Sequence, residues 1–331
     1  MTFLYLILAL LVLVGLVLAL KIKQLNAGNK KAAAERAAFK YEKLPDIGTV
    51  KSLTVLPLVD FYTDDDRLKT EAGVAYLIKA DDTTILMDVG FNKNKEHPSP
   101  LLHNMQTLGV SPDSIDFIFF SHLHLDHVGG MREQKNRQFS LSQGEVPLPE
   151  IPVYAPVAIS PSPWNPAPRV KVIKGPEALS PGVASIGVIP RNLFLMGYTL
   201  ENSLAINVAG KGIVLVIGCG HQKIERIIER TRQLFDEPIY GIIGGLHYPV
   251  KNGRIMIGPL NIQNIVGGST PPWKGIGKQD VRAAITAIKA ADPKFVALSP
   301  HDSSDWSIDT FRDAFRQQYH DLKVGRELQL H

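Results

Sequence analysis

The segment Ser121-His122-Leu123-His124-Leu125-Asp126-His127-Val128-Gly129-Gly130 places three imidazoles and a carboxylate directly after the apolar run Phe117-Ile118-Phe119-Phe120. Four ionisable groups beside a buried strand are costly unless a cation or solvent satisfies them. In extended backbone, residues i and i+2 point the same way, so His122 and His124 can converge on one ion. Where the chain then turns into a helix, Asp126 and His127 are re-aimed together and can serve a second. Neutral imidazole and carboxylate suit Zn²⁺, with Mn²⁺ or Fe²⁺ as alternatives. The chain of 331 residues has one cysteine, which excludes an internal disulfide and Cys-rich zinc ribbons.

An HxHxDH segment after a strand resembles the hallmark of the metallo-β-lactamase superfamily. Asp88 in Leu86-Met87-Asp88-Val89-Gly90 resembles that family's first-motif aspartate. Gly218-Cys219-Gly220-His221, Gly244-Gly245-Leu246-His247 and Ser299-Pro300-His301-Asp302, with Leu102-His103-Asn104 upstream, narrow the likeness. They are similar to the 7,8-dihydropterin-6-ylmethyl-4-(β-D-ribofuranosyl)aminobenzene 5′-phosphate synthase-like branch, over about residues 50–305.

The resemblance implies an α/β fold, a four-layer αβ/βα sandwich with the site at one edge between two sheets. It assigns His122 and His124 to a first metal, Asp126 and His127 to a second, and His301 to the last ligand histidine. Asp88 would support a ligand histidine from behind and fix its tautomer. Where most members place another ligand histidine, the stretch Met196 to Glu201 offers Tyr198, and Cys219 replaces the usual bridging aspartate. His221, read as lying at a helix start, is the substitute ligand for the first metal. Cys219 is either a thiolate ligand or bridge, or a small buried hydrophobe. His247 is either a proton donor to a leaving group or a structural histidine. Asp302 stands where the branch commonly has cysteine. His97, His103, His320 and His331 lack such context and read as surface residues.

These donors need strands to deliver them. Short β-branched or apolar runs predict strands at 50–59, 74–78, 84–87, 116–120, 151–154, 170–173, 204–208, 213–217, 239–243 and 295–298. Apolar residues at helical spacing predict helices over 221–235 and 280–291. The Pro-rich 147–168 and the Gly/Pro/Asn-rich 249–277 read as loops bordering the site.

Thr2 to Leu20 carries no charge and no proline, which predicts one N-terminal transmembrane helix. No Lys or Arg precedes the run, as a cleaved signal peptide would require. Lysines follow it, which by the positive-inside rule puts the rest in the cytoplasm. The division is therefore an anchor over 1–20, a basic helical linker over 21–46 and a catalytic domain over 47–331. The net charge of +4 belongs to residues 21–43, whose balance is +5; the remainder carries −1. A nucleic-acid partner is therefore not expected, because phosphate tracking needs clustered Lys and Arg.

The function these residues predict is a membrane-anchored hydrolase of a phosphodiester, ester or lactone in a small molecule. Two divalent ions would supply hydroxide at neutral pH, with Asp126 and His247 as catalytic residues. A mononuclear-iron dioxygenase of thiol substrates and a non-catalytic metal- or ligand-binding module are the alternatives.

Overall fold

The computed structural model describes residues 2–40 and 42–330; His331 lies outside the described residues. Two twisted sheets face each other. The first has the strand order Leu328–Leu330, Leu53–Val59, Ala75–Ala80, Thr83–Met87, Phe117–Phe119, Pro152–Ala155, Arg169–Val172. The second runs Phe295–Leu298, Ile239–Gly244, Gly212–Ile217, Ser203–Val208, Val183–Ser185, Glu177–Ser180. Alternation along each strand builds the layers. Phe117, Phe119, Val214 and Val216 point into the core between the sheets. Ile118 and Phe120 turn outward to the layer containing the helix Pro100–Thr107. Ile213, Leu215 and Ile217 pack against the helices Ile224–Leu234, Lys278–Ala291 and Asp305–Phe315. The result is the four-layer αβ/βα sandwich.

The strands that matter most to the site are parallel. Thr83–Met87 and Phe117–Phe119 run together in one sheet, as do Gly212–Ile217, Ile239–Gly244 and Phe295–Leu298 in the other. Their carboxyl ends therefore emerge along one edge, followed directly by Asp88, Ser121-His122, Cys219, His247 and His301.

Several elements differ from the sequence reading. Residues 189–201, assigned to no element, form an antiparallel hairpin of Ile189–Leu193 and Gly197–Glu201. Its residues mix apolar and polar side chains, so periodicity alone gives no strand signal. The 249–277 loop contains a short helix, Ile262–Gly267, held by Asn261 capping the Asn264 amide. The helix after Cys219 begins only at Ile224, so His221 sits in the preceding turn, closed by Lys223 N–H donating to Gly220 O at 3.0 Å.

The N-terminal helix is continuous from Thr2 to Ala38, with no break at residue 20, and is long and apolar enough to cross a membrane. Its second half is no free linker. The residues least exposed along it, Leu18, Ile22, Leu25, Gly28, Asn29, Ala32 and Arg36, fall mostly at three- and four-residue spacing and form one face. Leu25 and Ala32 are buried. Asn192 Nδ2 donates to Leu25 O at 3.2 Å, Arg36 Nη1 to Pro190 O at 2.6 Å, and Tyr198 OH bonds to Glu35.

Ala32→Trp overpacks this buried face at a cost of about 1–3 kcal/mol. Limited trypsin digestion should then cut at Lys40 and Lys43 markedly faster than in the parent chain.

Candidate metal centre

The chain leaves the Phe117–Phe119 strand and makes a turn rather than entering a helix at once. His127 N–H donates to His124 O at 3.0 Å, and the helix starts only at Met131. That turn lets Asp126 and His127 point back toward His122 and His124. The ring centroids of His122 lie 4.3 Å from His124, 4.2 Å from His127 and 5.3 Å from His221. His127 and His301, far apart in sequence, are 5.5 Å apart.

Among the described residues three donor groups stand out, each with its ligand atoms within 4.8 Å of one another. One is Asp126, His127, Cys219 and His301, another is His122, Cys219 and His221, and the third is Cys219, His247 and Asp302. Cys219 belongs to all three. Its Sγ lies 3.2 Å from His127 Nε2 and 3.2 Å from His301 Nε2. Gly218, just before it, passes so close to Ser121 that a Cβ would stand 2.2 Å from its Oγ.

The hydrogen bonds behind the rings fit a metal. Asp88 takes the Ser121 amide at 2.9 Å and the Ser121 hydroxyl at 2.6 Å, and stands 2.7 Å from His127 Nδ1. Ser121 Oγ in turn meets His122 Nδ1 at 2.9 Å. On the far side Ser299 donates to Asp60 at 2.6 Å and meets His301 Nδ1 at 2.6 Å. With each Nδ1 carrying the proton toward its oxygen partner, the Nε2 lone pairs of His122, His127 and His301 face inward. His124 is reversed: its Nε2 meets Thr199 Oγ1 at 3.3 Å, and its Nδ1 lies 2.9 Å from His122 Nε2. Thr199, not Tyr198, is thus the hairpin residue that faces the cluster. His221 Nδ1 is buried without a partner.

Burial is the main force on the charges. It drives His122 and His221 well below the usual histidine pKa, helped by neighbouring imidazoles, and brings His124 and His301 to about 4. Neutral rings are the form that ligates metal. Burial works against the charged forms of Asp126 and His127 too, but each outweighs it for the other: the Asp126 carboxyl is held low and His127 is pushed up, with Asp88 assisting. Burial raises the Cys219 thiol, with Asp126 and Asp302 adding to the effect.

Sequence reasoning missed Glu201 and gave Asp302 no role. Glu201 is fully buried, accepts from the Cys219 and Gly220 amides at 3.2 and 2.6 Å, and has a second oxygen without a partner. Burial lifts its pKa to about 8. Asp302 accepts from the His247 amide at 2.9 Å and lies 3.7 Å from both His247 Nδ1 and His301 Nε2. His247 has φ +54, and its ring is 4.4 Å from that of His221. It borders a cleft also lined by Arg191, His221, Lys223, Lys274 and Asp280. Gly267 packs against it, where a Cβ would stand 1.9 Å from Nε2. His97, His103 and His320 lie outside the cluster; His97 is exposed, His103 and His320 are half-buried, and His320 stacks on Phe295 at 3.8 Å.

The fold is that of the metallo-β-lactamases, and the comparisons report the same likeness. Residues 68–139 match the model of the metallo-beta-lactamase superfamily. The chain has the metallo-β-lactamase fold, which generally binds divalent metals. It is 26% identical over 255 residues to the 7,8-dihydropterin-6-methyl-4-(beta-D-ribofuranosyl)-aminobenzene-5′-phosphate synthase of Methanocaldococcus jannaschii, covering 64% of this chain and 84% of the relative. A metal-dependent hydrolase of the β-lactamase superfamily superposes with a TM-score of 0.55 at 16% identity, over 84% of this chain and 99% of the other. The metallo-β-lactamase fold protein YhfI from Bacillus subtilis gives 0.50 at 12% identity, with the same two coverages.

Asp88→Asn should weaken metal binding by about 10- to 100-fold in equilibrium dialysis, since the oriented partner of His127 and Ser121 is lost. Glu201 gives a pH signature. Its carboxyl ionises near 4.5 when unfolded and about 8 when folded, so the unfolded state loses its proton first and stability falls as pH rises between them. In chelator-treated protein, Glu201→Gln should remove that decline, its melting-temperature advantage over the parent growing from about pH 5 to about pH 9.

Proposed function

We propose that the chain is a membrane-anchored hydrolase using two divalent ions, most simply zinc, to open a phosphodiester, ester or lactone bond in a small molecule. The observation that carries this reading is that donor groups overlap at Cys219: Asp126, His127 and His301 on one side and His122 and His221 on the other, with His247 and Asp302 adjoining the same sulfur. A thiolate there would stand between two ions where the superfamily usually places a carboxylate. Two shared-edge sites favour the dinuclear reading over a single-iron dioxygenase, and soft sulfur with imidazole favours zinc.

Bound ions would polarise the scissile oxygen and make hydroxide available at neutral pH. The chain's own groups supply the rest. Asp126, the cluster member whose side chain stays partly exposed, is kept ionised and can hold the attacking oxygen in line. His247 lines the cleft with Nε2 against Gln263 O at 3.3 Å and Nδ1 without a hydrogen-bond partner, 3.7 Å from Asp302, so Nδ1 can give a proton to the departing oxygen while Asp302 balances its charge. Arg191, Lys223 and Lys274 on the cleft wall suit an anionic substrate. Asp88, Ser121, Asp60 and Ser299 hold the rings in register.

The apolar helix would anchor the chain, and Lys21 and Lys23 after it favour a cytoplasmic catalytic domain. A second reading comes from the relative named as a synthase, whose product carries a 5′-phosphate: the same cationic cleft would then serve group transfer to an acceptor other than water.

Metal analysis combined with turnover of bis(p-nitrophenyl) phosphate tests the proposal. His124→Ala should lose metal and lower turnover at least about 100-fold. Cys219→Asp should keep two ions per chain and Cys219→Ala should not. Unchanged metal and turnover in His124→Ala would refute the reading, and full metal with no hydrolysis of any ester would favour transfer.

A further inference from the structure

The hairpin strand Ile189–Leu193 separates two cavities that meet across Arg191, Lys223 and Ser269. One reaches His221 and His247; the other reaches Asn29 and Arg36 of the N-terminal helix. Together they make a groove from the donor cluster to that helix. Its cations are Arg36, Arg191, Lys223, Arg226 and Lys274, its acids Glu225 and Asp280, the latter 3.7 Å from Lys223. Arg191 is the central wall. Its Nε donates to Ser269 Oγ, while Nη1 is buried with no hydrogen-bond partner. Burial, with Arg226 and Arg36 close by, lowers its pKa to about 10, so it stays charged. A desolvated guanidinium with an unfilled N–H matches an oxyanion, and phosphate satisfies its fork geometry.

The groove also has a fixed place along the apolar helix. Asn29, whose Nδ2 donates to Ser269 O at 3.0 Å, lies nine residues beyond Leu20, the end of the uncharged run. At 1.5 Å per residue that is about 14 Å along the axis. Pro190 bonds at Arg36 and Asn192 at Leu25, so the hairpin runs toward the apolar end of the helix as it nears its turn. Leu195 in that turn is 49% exposed. Phe194 N–H donates to Gly268 O at 2.8 Å, tying the turn to the loop that carries Trp273, 62% exposed. An exposed leucine and an exposed tryptophan, residue types favoured at bilayer interfaces, thus sit on two joined segments beside the groove, the second of which lines it through Thr270 and Lys274.

The geometry points to a bilayer-resident lipid as the substrate of this site, its phosphate held by Arg191 and Lys223 and its acyl portion laid against Leu195, Trp273 and the N-terminal helix. This rests on the anchored-hydrolase reading. The recognised chemistry is phosphate, which a soluble metabolite could also present; acyl chains distinguish the sources.

The test uses the full chain in uncharged detergent, with dihexanoyl phosphatidic acid, glycerol 3-phosphate and inorganic phosphate as probes in calorimetric titration, and metal content measured on every sample. The expected result is that the short-chain lipid binds about tenfold or more tightly than either soluble phosphate. Arg191→Gln and, as a second variant, Lys223→Gln should weaken it about tenfold or more while metal content stays at the parent level. Trp273→Ala should weaken the lipid alone. Equal binding of glycerol 3-phosphate and the lipid, or parent-like lipid binding in both cation variants, would overturn the inference. A metal-loaded parent chain that binds no lipid refutes this inference alone, whereas His124→Ala keeping its metal refutes the underlying function.

Discussion

Crowding imidazoles into one dry volume is possible only if their protons are drawn outward, and most of the site's architecture answers that requirement. Asp88 acts through Ser121 on His122 and directly on His127; Asp60 acts through Ser299 on His301; Thr199 takes the outer nitrogen of His124. Each partner fixes a tautomer and leaves the opposite nitrogen bare. Remove them and the rings could turn their N–H groups inward, against one another and against any cation.

This arrangement draws on both sheets. Asp88 and Ser121 end adjacent parallel strands of the first sheet, whereas Cys219 and His301 follow parallel strands of the second. The packing of Phe117, Phe119, Val214 and Val216 between the sheets therefore sets the separation of the two halves of the cluster. Core and chemistry share one constraint, because interiors packed at crystal density cannot slide without cost.

What the sequence made legible follows from how local each signal is. His122, His124, Asp126 and His127 lie within six residues after an unbroken apolar strand, so their convergence needs only backbone geometry. The strand and helix periods marked individual elements, whereas their arrangement in four layers followed only from the motif's resemblance to the superfamily. Glu201 and Asp302 were harder to find: a single buried acid has no periodicity, and its partners, the Cys219 and His247 amides, are backbone groups 18 and 55 residues away. Arg191 was hidden in the same way, in a strand whose mixed side chains resemble loop sequence. The docked half of the N-terminal helix did carry a signal, a stripe at Leu18, Ile22, Leu25, Asn29, Ala32 and Arg36, but lysines beside it made the segment look like a solvated spacer.

The N-terminal helix has one further consequence. A rod that enters the folded body without a hinge passes on its own inclination. In a bilayer, an apolar stretch adjusts to thicker or thinner hydrocarbon by tilting or by deforming the lipid around it. Any such tilt would be inherited by the whole sandwich, rotating the opening beside Arg191 toward or away from the surface. Lipid composition would thereby act on the protein mechanically, through thickness, without occupying it.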